Sequence, residues 1–441
     1  MQHKLYNKQP FFKLVLTILW FFGVFLSAKG QSYYFRHYQV EQGLIHNTVK
    51  SIMQDSRGMM WIGTKAGLNR FDGYTFKSFT DYAINGGSIG ESSIISICED
   101  KKGMIWIGTE TGLFKYDPYH EAFDKTTIIA DKSISHILTD HFNNLWFLAN
   151  NELYKYEQNR NKLTKLNIAA TCLMFDKFEN LWMGKEIGAI QKLNINNLSS
   201  ITVQIIDEKY PVNVKSISKV LPVDNEKILI GTYKQGVKCY NTSTGQIQSL
   251  VSPYQNGTEI TVRDIVGFSD NEYWIATETG IFIYNFKKEG LQHLVKNSSD
   301  EYALSDNSAY ILYKDNRQNM WVGTYFGGLN YFSLEDARFK KYYPVYGQNS
   351  LAGNVVRELT ADNLGNVWMG TEDAGISKLN TTSEVFTNYL SGDKSNSLSS
   401  FNIQGLQLYN NKLYVGAFMH GLEIMDTATG KVLQRFPLIG D

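Results

Sequence analysis

The sequence predicts an all-β fold of repeated four-stranded sheets, and three observations predict it. A tryptophan-centred motif recurs along most of the chain. Each copy is filled with short runs of β-branched and aromatic residues. Gly, Asp, Asn or Ser stands at each break between the runs. Together these features point to a β-propeller: a seven-bladed ring of four-stranded blades, then two blades of an incomplete second propeller.

The first element is an address. His3, Lys4, Lys8 and Lys13 make a basic start, Leu14 to Leu26 is an apolar run, and Ala28 and Gly30 place small residues before Gln31. This layout predicts a signal peptide over residues 1–30, cleaved before Gln31. An apolar run of about 13 residues is short of the roughly 20 that cross a bilayer, and no other stretch is long enough. The mature chain is therefore expected in the periplasm, without a membrane span. Charged residues balance at 43 basic and 43 acidic, which argues against nucleic acid or an anionic membrane surface as partner.

The repeat comes next. MMWIGT holds Trp61, MIWIGT Trp106, NLWFLA Trp146, NLWMGK Trp182, EYWIAT Trp274, NMWVGT Trp321 and NVWMGT Trp368. KILIGT puts Leu229 at the tryptophan position, and KLYVGA puts Tyr414 there. The intervals from Trp61 run 45, 40, 36, 47, 45, 47, 47 and 46 residues, a blade's length each. The indole is expected to fill the gap between neighbouring blades.

Two further positions recur. An Asp stands six residues before the Trp in six copies: Asp55, Asp100, Asp140, Asp176, Asp315 and Asp362. Its carboxylate can start a tight turn by accepting from backbone N–H groups two residues on. Gly63, Gly108, Gly184, Gly231, Gly323, Gly370 and Gly416 come two residues after the Trp position, where the absence of a side chain admits the neighbouring sheet.

Ring closure follows from strand counting. Tyr33–Val40 resembles a fourth strand, yet no strands one to three precede it. It is expected to complete the seventh blade beside Gly328–Phe332, since an unpaired edge is a liability. Phe339–Pro344 would then serve as the orphan fourth strand of a second ring. The expected divisions are 1–30, signal peptide; 31–335, seven-bladed propeller; and 336–441, the first two blades of a truncated second propeller.

The run YFRHYQVEQGLIHNTVKSIMQDSRGMMWIGTKAGLNRFDGYTF resembles the start of the sensor region of Bacteroidetes hybrid two-component systems. The later copies resemble the two-component regulator propeller repeat. The resemblance implies a periplasmic sensor in which two seven-bladed propellers precede a β-sandwich, a transmembrane helix, a histidine kinase, a receiver and a DNA-binding domain. It also implies an oligosaccharide ligand. No kinase motif stands in this sequence, so the chain itself is not expected to be an enzyme.

Enzyme readings compete with the receptor. A sialidase Asp-box, S-x-D-x-G-x-x-W, sets its Asp five residues before Trp, not six, and arginine is sparse here. A streptogramin-lyase type would draw its base from His46, His136, His293 or His420. No paired carboxylates, triad or metal cluster recurs in the blades. Cys98, Cys172 and Cys239 lie far apart in strand-like contexts, so neither a disulfide framework nor a zinc site is expected. No cofactor is implied.

A receptor needs a face. In a four-stranded blade the 4→1 and 2→3 connections emerge on one side. That side carries polar runs such as His46-Asn47-Thr48 and Ser92-Ser93. Its 2→3 loops add Lys65, Tyr233, Lys234, Glu278, Tyr325 and Phe326. Sugars stack on aromatic platforms and hydrogen-bond to planar polar groups. Tyr233, Tyr325 and Phe326 supply the first kind; Asn47, Lys65, Lys234 and Glu278 supply the second, and His46 joins them from its polar run. These eight are the candidate ligand-binding residues, and a homodimer is left open.

Overall fold

The computed structural model describes residues 33–79, 93–252, 254–255, 258–392, 394 and 396–438. The expected signal peptide and Ser92 lie outside the described residues. Tyr34–Asp441 is one compact unit. The strands of the described residues assemble into nine four-stranded antiparallel sheets plus one small hairpin, Tyr254–Gln255 with Thr258–Glu259. The longest α-helix among the described residues is one turn, Val212–Lys215. No described helix is long and apolar enough to cross a membrane.

The first sheet shows how a repeat becomes a blade. Val49–Gln54, Met60–Thr64, Gly67–Phe71 and Phe76–Phe79 pair in sequence order. The turn between the first two strands is built by Asp55. One carboxylate oxygen accepts the amides of Arg57 (3.0 Å) and Met59 (2.9 Å), and the other accepts the Trp61 indole N–H at 2.9 Å. The same indole bond recurs at 2.9–3.0 Å in Asp100–Trp106, Asp140–Trp146, Asp176–Trp182, Asp315–Trp321 and Asp362–Trp368. A buried indole N–H needs an acceptor. This explains the six-residue spacing, and why copies with Leu229 or Tyr414 also lack the Asp. Trp274 has Phe268 in place of the Asp and bonds instead to Glu272 at 3.1 Å.

Each tryptophan packs onto the following sheet. Trp61 is fully buried among Ile94, Ile105 and Tyr116 of the second. Trp182 packs with Ile217 and Ile228 of the fifth, and Trp321 with Val49 and Met60 of the first. The glycine two residues on allows this approach. A Cβ at Gly63 would stand 2.6 Å from Ile94, and one at Gly323 would stand 2.6 Å from Val49.

The innermost strands of seven consecutive sheets neighbour one another in cyclic order, from Val49–Gln54 through Ala309–Lys314 and back to Val49–Gln54. Closure follows the expected route. Phe35–Tyr38 pairs antiparallel with Leu329–Phe332, with Phe35 opposite Phe332 and Tyr38 opposite Leu329. Phe339–Pro344 departs from expectation, because it forms no strand. Tyr343 instead packs edge-on against Tyr302 at 4.7 Å and bonds to Asp300 at 2.8 Å, while the Lys341 amide donates to the Tyr34 hydroxyl. Aromatic burial on the first ring thus replaces pairing with the second. Two more sheets follow, from Val356–Ala361 to Val385–Tyr389 and from Ile403–Tyr409 to Val432–Phe436, and they pack on each other.

Candidate binding face

The threonine of the WIGT motif shapes the face. Thr277 Oγ1 donates to the Gly280 carbonyl at 2.7 Å and accepts the Thr279 amide at 3.1 Å. Thr64, Thr109, Thr232, Thr324 and Thr371 make the same pair of bonds in their own loops. The residue just after the threonine then donates its amide to the 4→1 loop: Lys65 to Thr48, Tyr233 to Ser216, Glu278 to Thr261 and Tyr325 to Ser308. Both kinds of connection are clamped together on one side. Fixed loops hold side chains at low entropic cost, which favours recognition.

A second device was not legible in the sequence. The register of the innermost strand shifts near its start in most blades, for example between Val49 and Ser51, Val262 and Asp264, and Ala309 and Ile311. Such bulges re-aim one side chain, here Lys50, Arg263 and Tyr310. The signal that could have found them is a fixed offset: each lies fifteen residues before the residue that follows the WIGT threonine.

The two devices build a cluster from the sixth and seventh blades. Arg263 forms an ion pair with Glu278 and lies 4.8 Å over the Tyr310 ring. Tyr310 stacks on Tyr325 with ring centres 5.3 Å apart and planes 25° apart. Phe326 stands edge-on to Tyr325 at 4.4 Å and is 70% exposed. Its amide is held by Asp306 at 2.8 Å. Burial raises the Tyr310 hydroxyl pKa although Arg263 opposes it, so the phenol stays neutral at physiological pH. The result is an aromatic shelf with a guanidinium and a carboxylate at its edge.

The other expected residues fall into two groups. In the fifth blade Lys234 pairs with Glu259 at 2.8 Å and lies 5.7 Å over Tyr233. In the first blade Lys65 is exposed, and the Asn47 side chain accepts the Val40 amide at 3.0 Å. His46 accepts the Thr48 amide at 2.9 Å; burial and then Lys65 lower its pKa, so the ring is neutral at pH 7. The first and seventh blades meet here, because the Thr48 hydroxyl donates to the Tyr325 carbonyl at 2.5 Å. Of the eight candidates, Glu278, Tyr325 and Phe326 gather on the shelf. His46, Asn47 and Lys65 stand at its border, and Tyr233 and Lys234 form a separate pair.

A family model described as "Two component regulator propeller" matches residues 43–66, 88–111 and 303–326. The chain carries two-component regulator propeller repeats. Two of these matched stretches contain His46, Asn47, Lys65, Tyr310, Tyr325 and Phe326, whereas Arg263, Glu278, Tyr233 and Lys234 lie outside them. Fifty-nine residues are 39% identical to histidine kinase P4 of Formosa agariphila, covering 13% of this chain and 4% of that protein. The extracellular domain of a hybrid two-component system of B. thetaiotaomicron shares the fold at TM-score 0.63 and 22% identity. That likeness covers 92% of this chain and 60% of the other, so this chain spans about three fifths of that relative. Virginiamycin B lyase of Staphylococcus aureus also shares the fold, at TM-score 0.53 and 10% identity, over 69% of this chain and all of the lyase.

The histidines considered as a lyase base are dispersed. His293 stacks on Phe282 at 4.0 Å and bonds to the Thr279 carbonyl at 2.9 Å. His136 lies deep in the ring, where burial and then Lys219 lower its pKa to about 4. His420 is exposed in the last blade.

Proposed function

We propose that this chain is the ligand-sensing, periplasmic propeller region of a hybrid two-component signalling protein. Residues 31–335 act as one seven-bladed propeller, and 336–441 open a second. The ligand is an oligosaccharide that docks on the shelf formed by Tyr310, Tyr325 and Phe326. The observation that carries this reading is that shelf on clamped loops, with half-buried Tyr310 and Tyr325 and exposed Phe326, and with Arg263, Glu278 and Lys65 available to sugar hydroxyls. Aromatic faces meet the C–H faces of a pyranose, and planar ions fix its orientation. The matched regulator repeats and the sensor-domain relatives support the signalling role.

The experiment is calorimetric titration of this chain with an oligosaccharide panel. One member should bind and be recovered chemically unchanged. Tyr325→Ala and Phe326→Ala should each weaken it about tenfold, the loss of one good stacking contact, with thermal stability kept. The fold shared with a lyase favours one competing reading, turnover. Product formation that disappears on His46→Ala would establish that reading instead.

A further inference from the structure

On the opposite side of the ring, where the Asp turns lie, the closure seam opens into a cleft of about 510 Å³. Arg36 from the closing strand, Arg57 from the first blade and Arg317 from the seventh all line it, with Tyr38, Trp321 and Tyr331 as aromatic walls. The chain has only nine arginines, so three in one cleft is a concentration. Their placement follows the repeat. Arg57 and Arg317 both stand two residues after the turn Asp, where the other Asp turns carry Lys102, Phe142, Phe178 and Leu364. Arginine occupies that position only in the two blades that flank the seam.

Much of the donor capacity is unspent. Arg36 gives one nitrogen to Asp336 at 2.7 Å, and Arg57 gives one to Asp55 at 2.6 Å. Among the described residues the Arg317 side chain has no ion pair, and it is exposed. Two carboxylates also line the cleft, and both are engaged locally. Asp315 accepts from the Arg317 and Asn319 amides, the Asn319 side chain and Trp321. Asp72 accepts from the Tyr74 and Thr75 amides and the Thr75 hydroxyl.

We propose that this seam cleft is a binding site for a tetrahedral oxyanion, a sulfate or phosphate group. Guanidinium forks match such oxygens bidentately. Three guanidiniums arriving from three segments need at least three acceptor oxygens, which a tetrahedral anion has and a carboxylate lacks. The anion would touch the closing strand and both flanking blades at once. Its binding therefore ties the ring shut, since a ligand stabilises the state that holds its site. The site is independent of the sugar shelf on the other face.

The test is calorimetric titration of the protein with inorganic sulfate and, separately, inorganic phosphate in chloride buffer at constant ionic strength. Hydrogen exchange of the Phe35–Tyr38 amides is followed alongside. Saturable binding of at least one anion that slows this exchange is expected, and the tighter arm identifies the ester chemistry. Arg317→Ala, at an exposed turn position, should weaken binding about tenfold, the loss of one charge-assisted contact. Arg57→Lys, which keeps a cation beside Asp55, should weaken it as well. Arg160→Ala, an exposed arginine far around the ring, should not. Sulfate stabilises most proteins by exclusion from their surfaces. An effect that never saturates, or that is equal in wild type and Arg317→Ala, would overturn the proposal.

Discussion

Leu312 and Leu359 are the same residue at the same place in the repeat, yet one is 3% exposed and the other 64%. Each stands three residues after the strand residue opposite the WIGT threonine, Ala309 in the seventh blade and Val356 in the eighth. The seventh blade sits between the sixth and the first, whereas the innermost strand of the eighth packs on the ninth. The contrast teaches that the repeat encodes a blade with two faces for neighbours, and that burial is supplied by the neighbours. The glycines agree. A Cβ at Gly323 would meet Val49 at 2.6 Å, while one at Gly416 in the ninth blade would meet nothing closer than the Gly405 backbone at 3.4 Å.

The comparison can be broken in four ways. The largest effect is expected where an indole fills the gap between closed-ring blades. Trp61→Ala and Trp321→Ala should each cost about 3–5 kcal/mol in urea denaturation, as large buried aromatics do. Either variant keeping full stability while losing ligand would show that the indole serves binding instead.

Leu312→Ala should cost about 2–5 kcal/mol, and Leu359→Ala about 0.5 kcal/mol or less. Equal costs would mean that an unseen partner covers the eighth blade in solution. Next in size, Gly323→Ala should lose about 1–3 kcal/mol by overpacking. Gly416→Ala should stay within about 0.5 kcal/mol of wild type. A thermal melt of each variant is enough to separate them.

The smallest effect concerns acid. For Asp176 in the ring and Asp362 in the eighth blade, burial opposes the charged form. Hydrogen bonds from Asn180 and Trp182, and from Asn366 and Trp368, outweigh it and hold both carboxyls below the ordinary value of 3.8. A carboxyl depressed in the folded state stabilises it above the unfolded pKa, and that contribution is lost as pH falls through the folded value. Stability followed from pH 6 down should therefore drop below about pH 4. Asp362→Asn should flatten the part of that drop that belongs to the last two blades. A profile identical to wild type would remove this carboxylate from the acid response.

Much of the architecture was legible because it is periodic. The Trp spacing gave the blades, the unpartnered Tyr33–Val40 gave the closure, and the post-Trp glycines gave the close approach. The spacing marks the Asp as a turn former, and it is one. The bond from the indole N–H to its second oxygen is not legible in the sequence, because it forms only once the two strands are paired. Phe339–Pro344 misled because its pattern fits a strand, while Tyr343 found a better-buried place against Tyr302 and Asp300.

The binding face was half legible. Loop residues such as Tyr325 and Phe326 could be placed from blade topology alone. Tyr310 and Arg263 could not, because they lie inside strand-like runs and only a register shift turns them toward the face. By itself, then, the sequence determined what is local and repeated: strand lengths, turn chemistry, the indole and the glycine that receives the next blade. Tertiary structure decided what depends on residues far apart in the chain. It chose which leucine is buried, brought Arg36, Arg57 and Arg317 to one cleft, and stacked Tyr310 on Tyr325. The physical reason is that backbone propensity and turn bonding act within a few residues, whereas packing, desolvation and charge pairing act between whichever segments the closed ring brings together.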